Sequence, residues 1–155
     1  MKRYPGFADG MFALVASCGL DMMSDSLDQY DQHMGYAQTE VTSHAMIANG
    51  AAVAEVSALE DAHLARMLGH MGTMRGDVRQ MMTCGSADGA GMMGAMDDFE
   101  RECRAHRSAL TGATEPMALR AEEDRHQQAM RGMMDRMRSH SASMMSSSGG
   151  MRCGH

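Results

Sequence analysis

Between residues 67 and 81 apolar side chains recur at every third or fourth position, Met67, Met71, Met74, Val78 and Met81, with Leu68 the one apolar residue off that spacing. Met130, Met134, Met137 and Met144 repeat the interval further on. Such spacing lines one face of a helix, and that face is stable only when buried against others. Both seams extend upstream through an acid and an imidazole, Glu60 and His63 in the first and Glu123 and His126 in the second. The interruptions are equally informative. Asn49-Gly50 is a turn dipeptide, Thr111-Gly112 stands in the corresponding place, and Cys84 to Gly91 is a breaker cluster that predicts a loop. Thr114-Glu115-Pro116 reads as a helix start, Thr as cap with an acid and a proline in the first turn, where a missing N–H does no harm. The pattern predicts four helices, near 27–48, 52–83, 92–110 and 115–140. Short turns make neighbours antiparallel, so the expected fold is all-α, an antiparallel four-helix bundle.

The two halves of that bundle are copies of each other. Set residues 40–82 beneath 102–145, with Thr114 as one extra residue in the second copy. Glu40 then meets Glu102, His44 meets His106, and Gly50-Ala51 meets Gly112-Ala113. Beyond the gap Glu60-Asp61 meets Glu123-Asp124, His63 meets His126, and Met67, Met71 and Met74 meet Met130, Met134 and Met137. Two unrelated Ala-rich helices share a few such matches; they do not pair every Glu and His at nearly constant spacing. The fold is therefore expected to be two tandem helical hairpins, 27–84 and 92–140, within a bundle spanning 27–140.

Counting from the turns puts Glu40, Glu60, Glu102 and Glu123 eight residues from the helix ends, roughly 12 Å at about 1.5 Å per residue. His63 and His126 share a face with their glutamates three residues away, while His44 and His106 lie four residues nearer the turns. Carboxylates in a bundle interior must be paired, protonated or bound to a cation. One Glu on each of two helices, with Glu-x-x-His on the other two, resembles the ligand set of ferritin-like di-iron and di-manganese carboxylate proteins. The resemblance rests on Glu40, Glu60-Asp61-Ala62-His63, Glu102 and Glu123-Asp124-Arg125-His126, and on the architecture, not on the whole chain. It implies a di-metal centre held by those six residues. His44 and His106 have no counterpart in that family.

Composition shifts the expected metal. The 155 residues contain 22 Met against eight Leu and one Ile, reversing the usual make-up of a helical core. Thioether sulfur is a soft ligand that selects Cu(I). The stripes His63–Met67–Met71–Met74 and His126–Met130–Met134–Met137, with further Met pairs in loops and tail, favour copper over iron or manganese. A formal charge of −6, three Phe, three Tyr and no Trp leave neither the basic face nor the stacking platforms of a nucleic-acid binder. No phosphate-cradling loop or catalytic triad stands out in the spacing, so the reading leans away from an enzyme.

The N-terminus reads as an export signal over residues 1–17: Lys2 and Arg3, then a short apolar run from Met11, ending in Val15-Ala16-Ser17-Cys18. That quartet resembles the lipobox of bacterial lipoproteins, which implies a lipid anchor at Cys18, a periplasmic or outer-membrane location and no other membrane contact. A linker over 18–26 and a flexible tail over 141–155 are expected on either side of the bundle. Cys84 and Cys153, both at the end opposite the turns, are candidates for a disulfide, with Cys103 a buried thiol at the place of Val41. The leading expectation is an envelope protein that binds metal ions, copper foremost, for sequestration or tolerance. The alternatives are a ferritin-like di-iron or di-manganese oxidase or storage protein, and an envelope interaction module without metal. Nothing in the pattern specifies an oligomeric state.

Overall fold

A computed structural model of the chain describes residues 9–48, 50–83 and 88–148. They form four helices: α1 (Asp9–Ala48), α2 (Val53–Thr83), α3 (Gly89–Gly112) and α4 (Pro116–Ser148). Each helix packs on its neighbour in sequence, and α4 closes back on α1, giving the expected four-helix bundle. No helix among the described residues is long and apolar enough to cross a membrane.

The inward stripes follow the sequence pattern closely. α2 buries Val56, Glu60, His63, Met67, Met71, Met74, Val78 and Met81. α4 buries the equivalent set Leu119, Glu123, His126, Met130, Met134, Met137, Ser141 and Met144. α1 answers with Tyr30, Met34, Ala37, Val41 and His44, and α3 with Met92, Met96, Phe99, Cys103, His106 and Leu110. Among the described residues, the largest fully buried side chains are Tyr30, Phe99 and ten methionines. The Tyr30 hydroxyl is buried in this setting and donates to Met92 Sδ at 3.0 Å. Salt bridges staple the outside: Arg75 of α2 reaches Glu100 of α3 at 2.6 Å, and Arg107 of α3 reaches Asp61 of α2 at 2.8 Å. Phe99 is a large rigid group in α3's core face, packed amid flexible thioethers. Phe99→Ala is expected to destabilise the bundle by about 3–5 kcal/mol in denaturant unfolding; a loss under ~1 kcal/mol would mean the methionines simply refill the space.

Helix ends depart from expectation in instructive ways. α1 extends back to Asp9, so residues 19–26, expected as lead-in and linker, are helical. Nothing between Asp9 and Asn49 breaks a helix outright, and Leu27 and buried Ser26 carry the packed face upstream. α3 begins at Gly89, within the segment expected to be loop, because Gly89 is itself buried and Met82 occupies the space a Cβ there would need. α4 continues to Ser148, well into the expected tail, since Ser141 and Met144 still face the core. At the first turn, the Ala52 N–H donates to the Glu55 carboxylate at 3.2 Å, half of a capping box. α4 starts one residue later than expected, with Pro116 in the first helical position and the Glu115 carbonyl accepting from Ala118 and Leu119. Cys103 is a free, buried thiol, its pKa pushed up to about 12 by desolvation and nearby acids. Cys84, Cys153, the leader up to Ala8 and the side chain of Cys18 lie outside what is described.

Candidate metal centre

Each of the four helices contributes one histidine and one glutamate to the interior near the hairpin turns. They sort into two layers. The layer nearer the turns holds His44 from α1, Glu60 from α2, His106 from α3 and Glu123 from α4, all buried. Imidazoles sit on one diagonal and carboxylates on the other. The next layer inverts the order, with Glu40 from α1, His63 from α2, Glu102 from α3 and His126 from α4.

Side-chain lean explains the grouping. A helical Cα–Cβ bond tilts toward the helix N-terminus. α1 and α3 run toward the turns, so His44 and His106 lean away from them; α2 and α4 run from the turns, so Glu60 and Glu123 lean back toward them. The imidazoles and carboxylates converge between their Cα levels. The same lean brings His63 up to Glu40 and His126 up to Glu102. Counting residues from the turns placed the four glutamates in one layer; lean divides them between two, and the core seams of α1 and α3 pass through Val41 and Cys103, which leaves Glu40 and Glu102 at the rim.

In the first layer one ligand atom from each residue lies within 4.8 Å of every other. His44 Nε2 is 2.7 Å from Glu60 Oε1 and 3.2 Å from Glu123 Oε1, and His106 Nε2 is 3.5 Å from an oxygen of each glutamate. These are ion-pair distances, yet the atoms are out of hydrogen-bond alignment, and both oxygens of each carboxylate and both Nε2 atoms are buried without a hydrogen-bond partner. Four atoms about 2.0 Å from a shared tetrahedral ion would stand about 3.3 Å apart. The separations bracket that value. Two imidazoles and two carboxylates suit a borderline divalent ion such as Cu(II), Zn(II) or Fe(II).

The second layer is arranged differently. His63 Nδ1 lies 3.1 Å from Glu40 Oε1, and His126 Nδ1 lies 3.0 Å from Glu102 Oε1. Glu40 and Glu102 are 16% and 12% exposed and also pair with Arg66 and Arg125, at 2.7 and 2.8 Å. They are rim carboxylates that orient a histidine, as outer-shell carboxylates do in metal sites. Glu122, an acid that the sequence pattern does not single out, plays that part for His106, with Oε1 3.1 Å from Nδ1. Its place in the first copy is Leu59, so the alignment of copies gave no signal for it. Each ring of the first layer stacks on one of the second, His44 on His63 at 3.9 Å and His106 on His126 at 3.8 Å between centroids.

Electrostatics keep the layers in opposite protonation states. Burial would lower the His44 pKa, but Glu123 and Glu60 outweigh it and hold the pKa up at about 9; the His106 pKa is raised by Glu123, Glu60 and Glu122 in the same way. Against its own burial, Glu123 is held down at about 2 by His106 and His44. Desolvation lowers the pKa of His63 and takes His126 down to about 2, reinforced by the charges of His44 and His106. Without metal, two protonated imidazoles offset two buried carboxylates. Met67, Met71, Met74, Met130, Met134 and Met137 continue below as fully buried core. Between the site and the turns lies a cavity of about 180 Å³, walled by Val56, Leu110, Leu119 and Pro116, with Glu123 at its edge. Comparison of the chain with protein-family models, curated proteins and solved structures finds no match, so the metal reading rests on the residues themselves.

Proposed function

We propose that this protein binds and sequesters a transition-metal ion, copper foremost, at His44, Glu60, His106 and Glu123, and that it does so in the cell envelope, anchored through Cys18. One observation carries the reading: four helices each aim one buried ligand atom at a shared point, with none of those atoms satisfied by a hydrogen bond. Buried charged groups that pair without hydrogen-bond alignment are costly, and a divalent cation bound by all four satisfies them directly. Replacing the two imidazolium protons by a divalent ion leaves the charge of the interior unchanged. Copper is favoured because it binds nitrogen and oxygen donors more tightly than its first-row neighbours, and because a polarizable methionine core lies beneath. Four protein ligands leave no exchangeable position, which suits storage or tolerance better than catalysis. The cavity at the turns is the natural way in.

A second reading, a ferritin-like di-metal oxidase, draws support from the Glu40–His63 and Glu102–His126 pairs directly below the first layer. It requires oxygen-dependent oxidation of Fe(II) by the protein. The deciding experiment isolates the protein from its native membrane fraction and reads elemental content and N-terminal mass on one sample. About one copper per chain with a diacylglyceryl adduct at Cys18 is expected. Iron at two per chain favours the oxidase; metal-free protein that takes up no transition ion sinks both.

A further inference from the structure

The first layer leaves two buried nitrogens unused. Nε2 of His63 and Nε2 of His126 are buried without any hydrogen-bond partner, although both rings are almost fully enclosed. The opposite nitrogen of each ring is engaged by Glu40 or Glu102. A carboxylate at Nδ1 makes that nitrogen the N–H donor, which leaves Nε2 with its lone pair free. Two neutral imidazoles, one from each copy, thus hold bare lone pairs in the interior. Their ring centroids are 5.9 Å apart with planes at 89°, almost the arrangement of His44 and His106 at 6.1 Å and 90°. The second layer repeats the first layer's histidine pair one ring thickness deeper.

What differs is the rest of the donor set. Among the described residues, the carboxylates within ion-pair distance of His63 and His126 are Glu40 and Glu102, both at Nδ1 and both already neutralised by arginine. One turn further along the same faces come Met67 and Met130, fully buried. Two imidazole nitrogens and two thioethers, with no uncommitted negative charge, suit a soft monovalent ion and not a hard divalent one.

Building on the reading of this bundle as a metal-binding protein, we propose a second, chemically distinct position, in which His63 Nε2, His126 Nε2 and the thioethers of Met67 and Met130 hold Cu(I). The two positions are one ring-stacking step apart, so ions in both repel each other and each weakens the other's binding.

Ag(I) is the redox-inert probe for this position and Zn(II) the probe for the first. Ag(I) added to the full chain is expected to shift the imidazole ¹⁵N resonances of His63 and His126, and Zn(II) those of His44 and His106. M67L/M130L keeps core volume and should fold normally; it is expected to lose at least tenfold in Ag(I) affinity and to keep its Zn(II) affinity. Saturation with Zn(II) should weaken Ag(I) binding at this position at least tenfold. Ag(I) that leaves the His63 and His126 resonances unmoved overturns the proposal. So does unchanged Ag(I) affinity in M67L/M130L or in the presence of Zn(II). The two readings fail separately: loss of Zn(II) binding alone removes the first position, and loss of the Ag(I) response alone removes the second.

Discussion

Replacement of both Glu60 and Glu123 by Gln is expected to remove most of the metal-induced stabilisation of this protein while leaving the apo bundle close to wild-type stability. Glutamine keeps the shape and an oxygen donor but removes the charge that a divalent ion needs. A charge-assisted contact is worth about 1.5–3 kcal/mol, so the pair should cost about 3–6 kcal/mol of binding, two to four orders of magnitude in affinity. In the wild type, free metal a thousandfold above Kd stabilises the folded state by about 4 kcal/mol. For a domain of this size that raises Tm by roughly 8–16 °C. The apo variant should change by no more than about 1 kcal/mol, because His44 and His106 lose their protons once the carboxylates that retain them are gone, and no buried charge is stranded. Thermal melts of both proteins with and without Cu(II), Zn(II), Fe(II) and Mn(II) decide the matter. A double variant that keeps the full wild-type shift for every ion would show that the first layer is no metal site.

How much of this was legible in the chain divides along physical lines. Helix number, hairpin pairing and the inward face of α2 and α4 follow from periodicity, because a helix buries whatever recurs at three and four. Internal duplication then picked out the eight Glu and His residues that gather in the two layers near the turns, since chemistry shared by both copies is paired by alignment. Their grouping was not legible from spacing alone. Glu40 and Glu60 are equally far from their turn along the chain, yet one is a rim acid held by Arg66 and the other is fully buried. Helix direction, through side-chain lean, puts them in different layers, and the core seam of α1 passes through Val41 and not through Glu40. Helix ends were the poorest part. Gly89 to Gly91 read as breakers by propensity, but Met92, Met96 and Phe99 pull that turn into the core, and packing outweighs glycine's cost of about 1 kcal/mol. Glu122 was invisible for a different reason: it pairs with a histidine in one copy only, and an exposed-looking acid beside Glu123 carries no pattern of its own.

The second large effect is a stability optimum in the apo protein that metal displaces. His44, raised to about 9, faces Glu60, Glu123, His63 and His106; its stabilising contribution is complete below the unfolded-state pKa near 6.5 and is lost as pH rises through about 9. His106, also raised, adds to the same alkaline loss. Cys103, raised to about 12, adds a further loss once unfolded thiols ionise. On the acid side the sign reverses. His63 and His126 have depressed pKa values, so the unfolded chain takes up protons below about pH 6.5 that the folded chain refuses, and stability falls. Glu123, held near 2, contributes a second loss as pH drops below the unfolded carboxylate range near 4.3. The apo melting temperature should therefore peak near pH 6–7 and decline on both sides. A divalent ion at the first layer replaces the protons on His44 and His106, so saturating metal should flatten the alkaline limb and move the optimum upward. Its stabilisation should also shrink steeply on acidification, as two protons compete for one site. Melts from pH 4.5 to 9, in chelator and in saturating Zn(II), test this. An apo profile that rises steadily to pH 9, or two profiles that run parallel, would show that His44 and His106 do not hold the protons that metal displaces.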